Sequence, residues 1–286
     1  MIKLKFPALC LNVIMFLILV VTLYPFIYIL AVSFSDGLSV MQNKVVLIPV
    51  KFNLTAYEVV FSNNNVTRAL TNSVIYTVLG SFLSVVFTLI TAYPLSKERL
   101  IGKKLFMIII IITMVFSTGM IPFFLVVRNL GLIDTIWAII LPFLISPWNL
   151  ILTRVFIENI PKDIEQAAMI DGCSNVKFLY SIVIPLCVPI IATISLYYAV
   201  SYWNMYFWPM MFLNEKEMYP IQVLLRQMVI MGSMASELSK ANAKDVGIGE
   251  NIKAATIMVS TAPILIVYPF LQKYFVKGIM IGAVKG

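Results

Sequence analysis

The chain has 286 residues, of which 61% are hydrophobic and 12% charged, with a formal net charge of +8. Soluble domains carry roughly 25% charged residues, so this composition excludes a water-soluble fold. The apolar runs are continuous rather than alternating, which excludes an outer-membrane barrel and leaves an all-α integral membrane protein.

About 20 apolar residues cross a bilayer as a helix. Lys3 and Lys5 precede an apolar run of 27 residues, Phe6–Val32. That run is too long for a cleaved signal core and lacks a small-residue cleavage site, so it reads as a retained first span. Mixed-charge residues with turn signals follow, Asp36-Gly37 and Asn63 to Asn65, and read as an outer loop of about 33–72. Further spans are expected at Ser73–Ser96, Leu105–Val127, Ile136–Phe156, Ile182–Tyr206 and Ala254–Leu271, six in all. Gly119 and Pro122 mark a kink in the third, and Pro142 and Pro147 interrupt the fourth. The fifth lies in a 36-residue charge-free run, Phe178–Leu213, too long for one crossing, so its end should turn. A second long outer loop is expected at about 214–253. The whole chain, 1–286, reads as one transmembrane domain.

Orientation follows from basic residues in short loops. With the N-terminus in the cytoplasm, the inner segments hold twelve basic and five acidic residues, and the outer segments nine and eight. Both termini are therefore expected inside. The basic balance reads as topology, and its scatter over several loops argues against nucleic-acid binding. Cys10 and Cys187 fall in spans and Cys173 in a polar segment, so no disulfide is expected. With no histidine and no cysteine cluster, no metal site is expected either.

No ionisable residue lies deep in any expected span, whereas proton relays and voltage sensors need them there. Sodium coupling through backbone carbonyls needs no charge and stays open. The string G-x-x-x-x-G-K-[ST] is absent, so no P-loop cradles a nucleotide. The chain is not expected to be an enzyme. ATP and magnesium, if used, would sit on a separate subunit.

Residues 161–189 read PKDIEQAAMIDGCSNVKFLYSIVIPLCVP. Pro161 suits a first helical turn, and Asp163 and Glu165 favour its positive end. Ala167 and Ala168 are small enough to let another surface approach, and Gly172 ends the helix. A second helical stretch, Asn175–Tyr180, leads into the fifth span. This element, about 158–180, reads as a cytoplasmic docking knob on the ends of spans four and five. A partnerless interfacial helix is the alternative reading.

The knob resembles the EAA loop of ABC-importer permeases, E-A-A-x-x-x-G followed nine residues later by I-x-L-P. Here Gln166-Ala167-Ala168 runs to Gly172, and Ile182-Val183-Ile184-Pro185 follows at the same spacing. Gln166 replaces the glutamate and Ile184 the leucine. Glu165 offers a carboxylate next door, about 100° around the helix. Gly119-Met120-Ile121-Pro122, Leu130-Gly131-Leu132, Trp203-Asn204, Tyr219-Pro220 and the tail from Tyr268 extend the likeness over nearly the whole chain. It is to the carbohydrate-uptake class, most like the LplC/YtcP type of Gram-positive bacteria. The resemblance implies a six-span type I ABC importer permease fold in the bacterial cytoplasmic membrane. It implies ATPase coupling through Glu165, Gln166, Ala167, Ala168, Asp171, Gly172 and Pro185. Its implied partners are a second homologous permease, two ATPase subunits and an extracellular solute-binding lipoprotein, besides membrane lipid.

The outer half of span five holds Tyr198, Tyr202, Trp203 and Asn204. Sugar C–H faces stack on aromatic rings and hydroxyls pair with amides, so these four are candidates for the solute path. An interfacial aromatic belt is the alternative, above all for Tyr206 and Trp208. Two other functions stay open: the same architecture importing amino acids or peptides, and a stand-alone channel or secondary carrier.

Overall fold

The computed structural model describes residues 5–116, 118–231 and 248–283, with side chains over 11–116, 118–228 and 249–266. Every regular element among them is helical. Helix α1 is Lys5–Ser33, followed by the short α2, Gly37–Met41, and α3, Thr55–Ser62. Helix α4, Asn64–Ser96, runs two turns further back than expected, so part of the expected outer loop is helical.

The third expected span is two helices, α5 (Lys103–Val115) and α6 (Met120–Asn129), with Gly119 at the break. The fourth is also broken. Helix α7, Ile136–Ile140, passes into a 3-10 turn, Leu141–Phe143, and α8 restarts at Pro147 and runs to Glu158, with a 49° bend. Proline explains the restart. It has no N–H to give and drives the residue before it out of the α region, and Ser146 is indeed extended (ψ 124°).

Helix α9, Lys162–Ile170, and α10, Asn175–Phe178, form the knob. The chain then takes a π turn, Leu179–Val183, and the brief α11, Ile184–Leu186. It bends 81° into α12, Val188–Trp203. The charge-free run turns at its end, as its length demanded, into α13, Phe207–Phe212. Helices α14, Ile221–Met231, and α15, Ile248–Ala283, follow, and the sixth expected span lies within α15. Among the described residues, α1 and α4 are each long and apolar enough to cross a membrane, and three bent helix pairs qualify if each counts as one span.

The fold divides into two compact units. In the first, Met1–Arg68 with Val223–Pro263, the end of α1 packs Ala31 and Val32 on Val40, Val45 and Ala254. Asn251 donates to the Ser35 carbonyl (3.3 Å), and Phe34 stacks on Phe52.

The second, Ala69–Gln222 with Ile264–Gly286, holds the larger core. Small polar residues on α4 face tyrosines on α12. Ser84 Oγ lies 3.1 Å from the Tyr202 hydroxyl, and Thr88 Oγ1 2.7 Å from that of Tyr198. In hydrocarbon no water satisfies these groups, so pairing between helices is their only outlet. Gly80 permits the close approach. A Cβ there would stand 2.8 Å from the Tyr202 ring, whose hydroxyl is tethered to Ser84 and to the Ile140 carbonyl (3.3 Å). Gly80→Ala should therefore cost about 1–3 kcal/mol by overpacking. It should lower the thermal midpoint of the detergent-solubilised protein, and an unshifted midpoint would contradict this packing.

Candidate coupling knob and solute cavity

Helix α9 follows extended Pro161 and stops at Gly172. The Gly172 N–H donates to Met169 O (3.1 Å) and the Cys173 N–H to Ala168 O (2.9 Å). This double closure requires a left-handed residue, and Gly172 has φ +72°. Ser174 then caps α10, its Oγ accepting from the Lys177 N–H. The turn between the two helices is thus fixed at both ends.

Ion pairs tie the knob to the end of α4. Lys97 Nζ sits 2.6 Å from Glu165 Oε1, and also 4.6 Å from the Tyr93 ring centroid and 5.0 Å from that of Phe178. Lys162 pairs with Glu98 at 2.7 Å. The hydrogen bond and charge of Lys162 hold the Glu98 carboxyl below its usual range, and Glu98 in turn raises Lys162. At the end of α8, Glu158 receives Lys103 (2.9 Å) and Arg154 (2.7 Å). Partial burial pushes Glu158 up, but these two donors outweigh it and its pKa falls. Arg154 Nε also donates to the Leu95 carbonyl (3.2 Å). Lys97, Glu98, Lys103, Glu158, Lys162 and Glu165 wall a cleft of about 970 Å³.

The expected coupling residues divide by facing. Gln166, Ala167, Asp171, Gly172 and Pro185 are exposed, and Glu165 is half-buried in its ion pair with Lys97. Ala168 is buried in the core, so its smallness serves packing within this chain. The exposed surface also carries large apolar side chains: Ile170 is 86% and Val176 72% exposed, and Tyr180 and Met169 are exposed as well. Sequence reasoning missed these side chains. The available signal was Val176 set singly between Asn175 and Lys177, and Met169-Ile170 directly ahead of Asp171-Gly172.

A cavity of about 540 Å³ opens at the broken α7–α8 segment against α12. Tyr198 and Tyr202 line it, but their hydroxyls are engaged within the protein, Tyr198 also accepting from the Ser146 N–H (2.9 Å). Trp203 and Asn204 fall outside the lining, and Asn204 donates back to the Val200 carbonyl (2.9 Å). The sequence expectation thus located the helix and two of its wall residues. It missed Trp148, Asn149, Tyr197 and Ser201, which share the lining.

Charged helix ends gripping a small knob, beside a buried core that holds no Asp, Glu, Lys or Arg among the described residues, are what an externally driven membrane transporter requires. Residues 84–281 match the family described as binding-protein-dependent transport system inner membrane component. The chain belongs to this family, and is an ABC-transporter permease, a multi-pass protein of the cytoplasmic membrane. It is 46% identical over 263 residues, 92% of each chain, to the polygalacturonan/rhamnogalacturonan transport system permease protein YtcP of Bacillus subtilis (strain 168). It is 42% identical to Protein LplC of the same organism, over 93% of this chain and 90% of that one. The arabinooligosaccharides transport system permease protein AraQ of Halalkalibacterium halodurans is 26% identical, over 93% and 92%. A crystal structure of a bacterial ABC transporter involved in the import of the acidic polysaccharide alginate superposes with a TM-score of 0.89. The identity is 37%, covering 96% of this chain and 98% of that one.

Proposed function

We propose that this permease forms half of the translocation path of an ATP-driven oligosaccharide importer and is moved through the knob at about 158–180. Six spans with both termini in the cytoplasm put the knob on the ATPase side. Its partners in this reading are a second homologous permease, two ATPase subunits that bind ATP and magnesium, and an extracellular solute-binding lipoprotein. The chain itself binds no cofactor and catalyses no reaction.

The observation that carries the reading is the knob's facing. Lys162 and Glu165 pair with Glu98 and Lys97 at the end of α4, while Ile170 and Val176 stay exposed. An exposed apolar cluster on a rigid polar element is a surface for another protein. Relatives named for saccharide transport support the solute class.

The reading is tested by placing a single cysteine at Ile170 in a background with Cys10, Cys173 and Cys187 replaced by serine. A membrane-impermeant maleimide should label it only in inverted vesicles, and co-expressed ATPase subunit should protect it. Labelling from outside intact cells would end the coupling role.

A further inference from the structure

We propose that the cleft between the α4–α5 turn and the knob binds the phosphate of an anionic phospholipid, drawn from the leaflet at that end of the spans. The proposal goes beyond the importer reading and needs only a chain that spans a bilayer.

The charges of the cleft leave one cation over. Its walls carry three carboxylates, and a lysine meets each: Lys97 on Glu165 (2.6 Å), Lys103 on Glu158 (2.9 Å) and Lys162 on Glu98 (2.7 Å). Arg99 is the fourth cation of the walls. It is exposed and forms no ion pair among the described residues. With the carboxylates already matched, an entering anion meets a net positive wall. A guanidinium suits a phosphate in particular, because its planar fork can donate to two oxygens at once.

A second wall residue lacks an acceptor. Tyr93 is 8% exposed, and its buried hydroxyl has no hydrogen-bond partner among the described residues. A buried donor left unmade costs free energy, and an oxygen-rich headgroup lodged against Tyr93 would supply the missing acceptor. The volume of about 970 Å³ suits a headgroup, being at the upper end of the roughly 300–1,000 Å³ of small-molecule sites.

The surroundings favour a lipid over a free phosphate. Ile101, two residues on from Arg99, is 93% exposed. Helix α5 starts two residues later, with Leu105 and Phe106 exposed and no buried side chain along its length. An arginine beside such apolar surface can lay its stem on acyl chains and keep its head among phosphates. Basic pockets between the ends of transmembrane helices are a recurring seat for anionic headgroups.

The test uses the complete importer, purified in detergent and titrated with phosphatidylglycerol or phosphatidylcholine, with bound lipid counted by native mass spectrometry. The wild type should retain phosphatidylglycerol in preference to phosphatidylcholine. Arg99→Gln should weaken that retention about fivefold, the factor that about 1 kcal/mol per basic residue represents. Arg99→Lys should keep part of it, and Tyr93→Phe should weaken it less than Arg99→Gln does. Lys104→Gln removes an exposed lysine outside the cleft and should change nothing.

Equal retention by the wild type and Arg99→Gln would overturn the site. An equal loss in Lys104→Gln would reduce the effect to diffuse surface charge and overturn it too. Displacement of the lipid by glycerol 3-phosphate at matched concentration would assign the cleft to a soluble phosphate and overturn the lipid source. Loss of the ATPase subunit from Arg99→Gln would make Arg99 a protein contact instead. Each of these leaves the importer reading standing, since that reading fails on the labelling of Ile170.

Discussion

Ile170→Asp is expected to lower solute uptake by ten- to a hundredfold while the protein reaches the membrane at its normal level. The side chain is 86% exposed, so its loss should leave folding untouched. Its value appears only when a partner covers it. Burying an isoleucine contributes about 1.5–3 kcal/mol, and each 1.4 kcal/mol is about a factor of ten in affinity. An aspartate at the same place adds the cost of stripping water from a carboxylate. Two measurements check this: transport in cells, and recovery of the ATPase subunit when the permease is purified. A variant that imports normally and retains its ATPase would remove the knob from the coupling path. Ala167→Glu, on the same exposed helix, should behave alike.

The second large effect is expected at Lys97. One ammonium touches a carboxylate on α9 and two rings, one on α4 and one on α10. Its ion pair with Glu165 is worth about 0.2–1 kcal/mol at this partial exposure, and each ring contact about 0.5–1 kcal/mol. Lys97→Met should therefore loosen the knob from α4 by about 1–3 kcal/mol, summing those terms. The expected result is continued ATP hydrolysis with uptake several-fold lower, because the pull on α9 is no longer delivered to α4. The exchange Lys97→Glu with Glu165→Lys rebuilds the ion pair without the ring contacts, so it should restore uptake only in part. Tight coupling in Lys97→Met would show that the covalent connections through α8 and α12 suffice.

Much of the fold could be read from hydropathy because spans obey a simple length rule, and α1 and α4 run where the apolar stretches predicted. Pro142 and Pro147 announced the break before α8, and Pro161 and Gly172 marked the knob's limits. What stayed illegible is facing. Ala167 and Ala168 look alike in sequence, yet one is exposed and the other sealed in the core. Tyr198 and Tyr202 carry the chemistry of a sugar site, but Ser84 and Thr88, more than a hundred residues away, engage their hydroxyls. Hydropathy cannot report such long-range pairing. The positions of Trp148 and Asn149 depended on a helix restart whose rotation no local pattern fixes. Lys97 counted only as one more inner charge until the fold brought Glu165 and two rings to it.

The wide turn at Leu179–Val183 has a geometric consequence for the whole machine. Its winding holds one residue more than an α turn. Rewinding those five residues as ordinary helix would swing everything on the knob side by about 100° and slide it about 1.5 Å along the axis. The step would break no covalent bond, but it would have to draw Phe178 and Val183 out of the core they share with α4 and α12. A small displacement of the knob and a large rotation at the head of α12 are thus two readings of the same five residues.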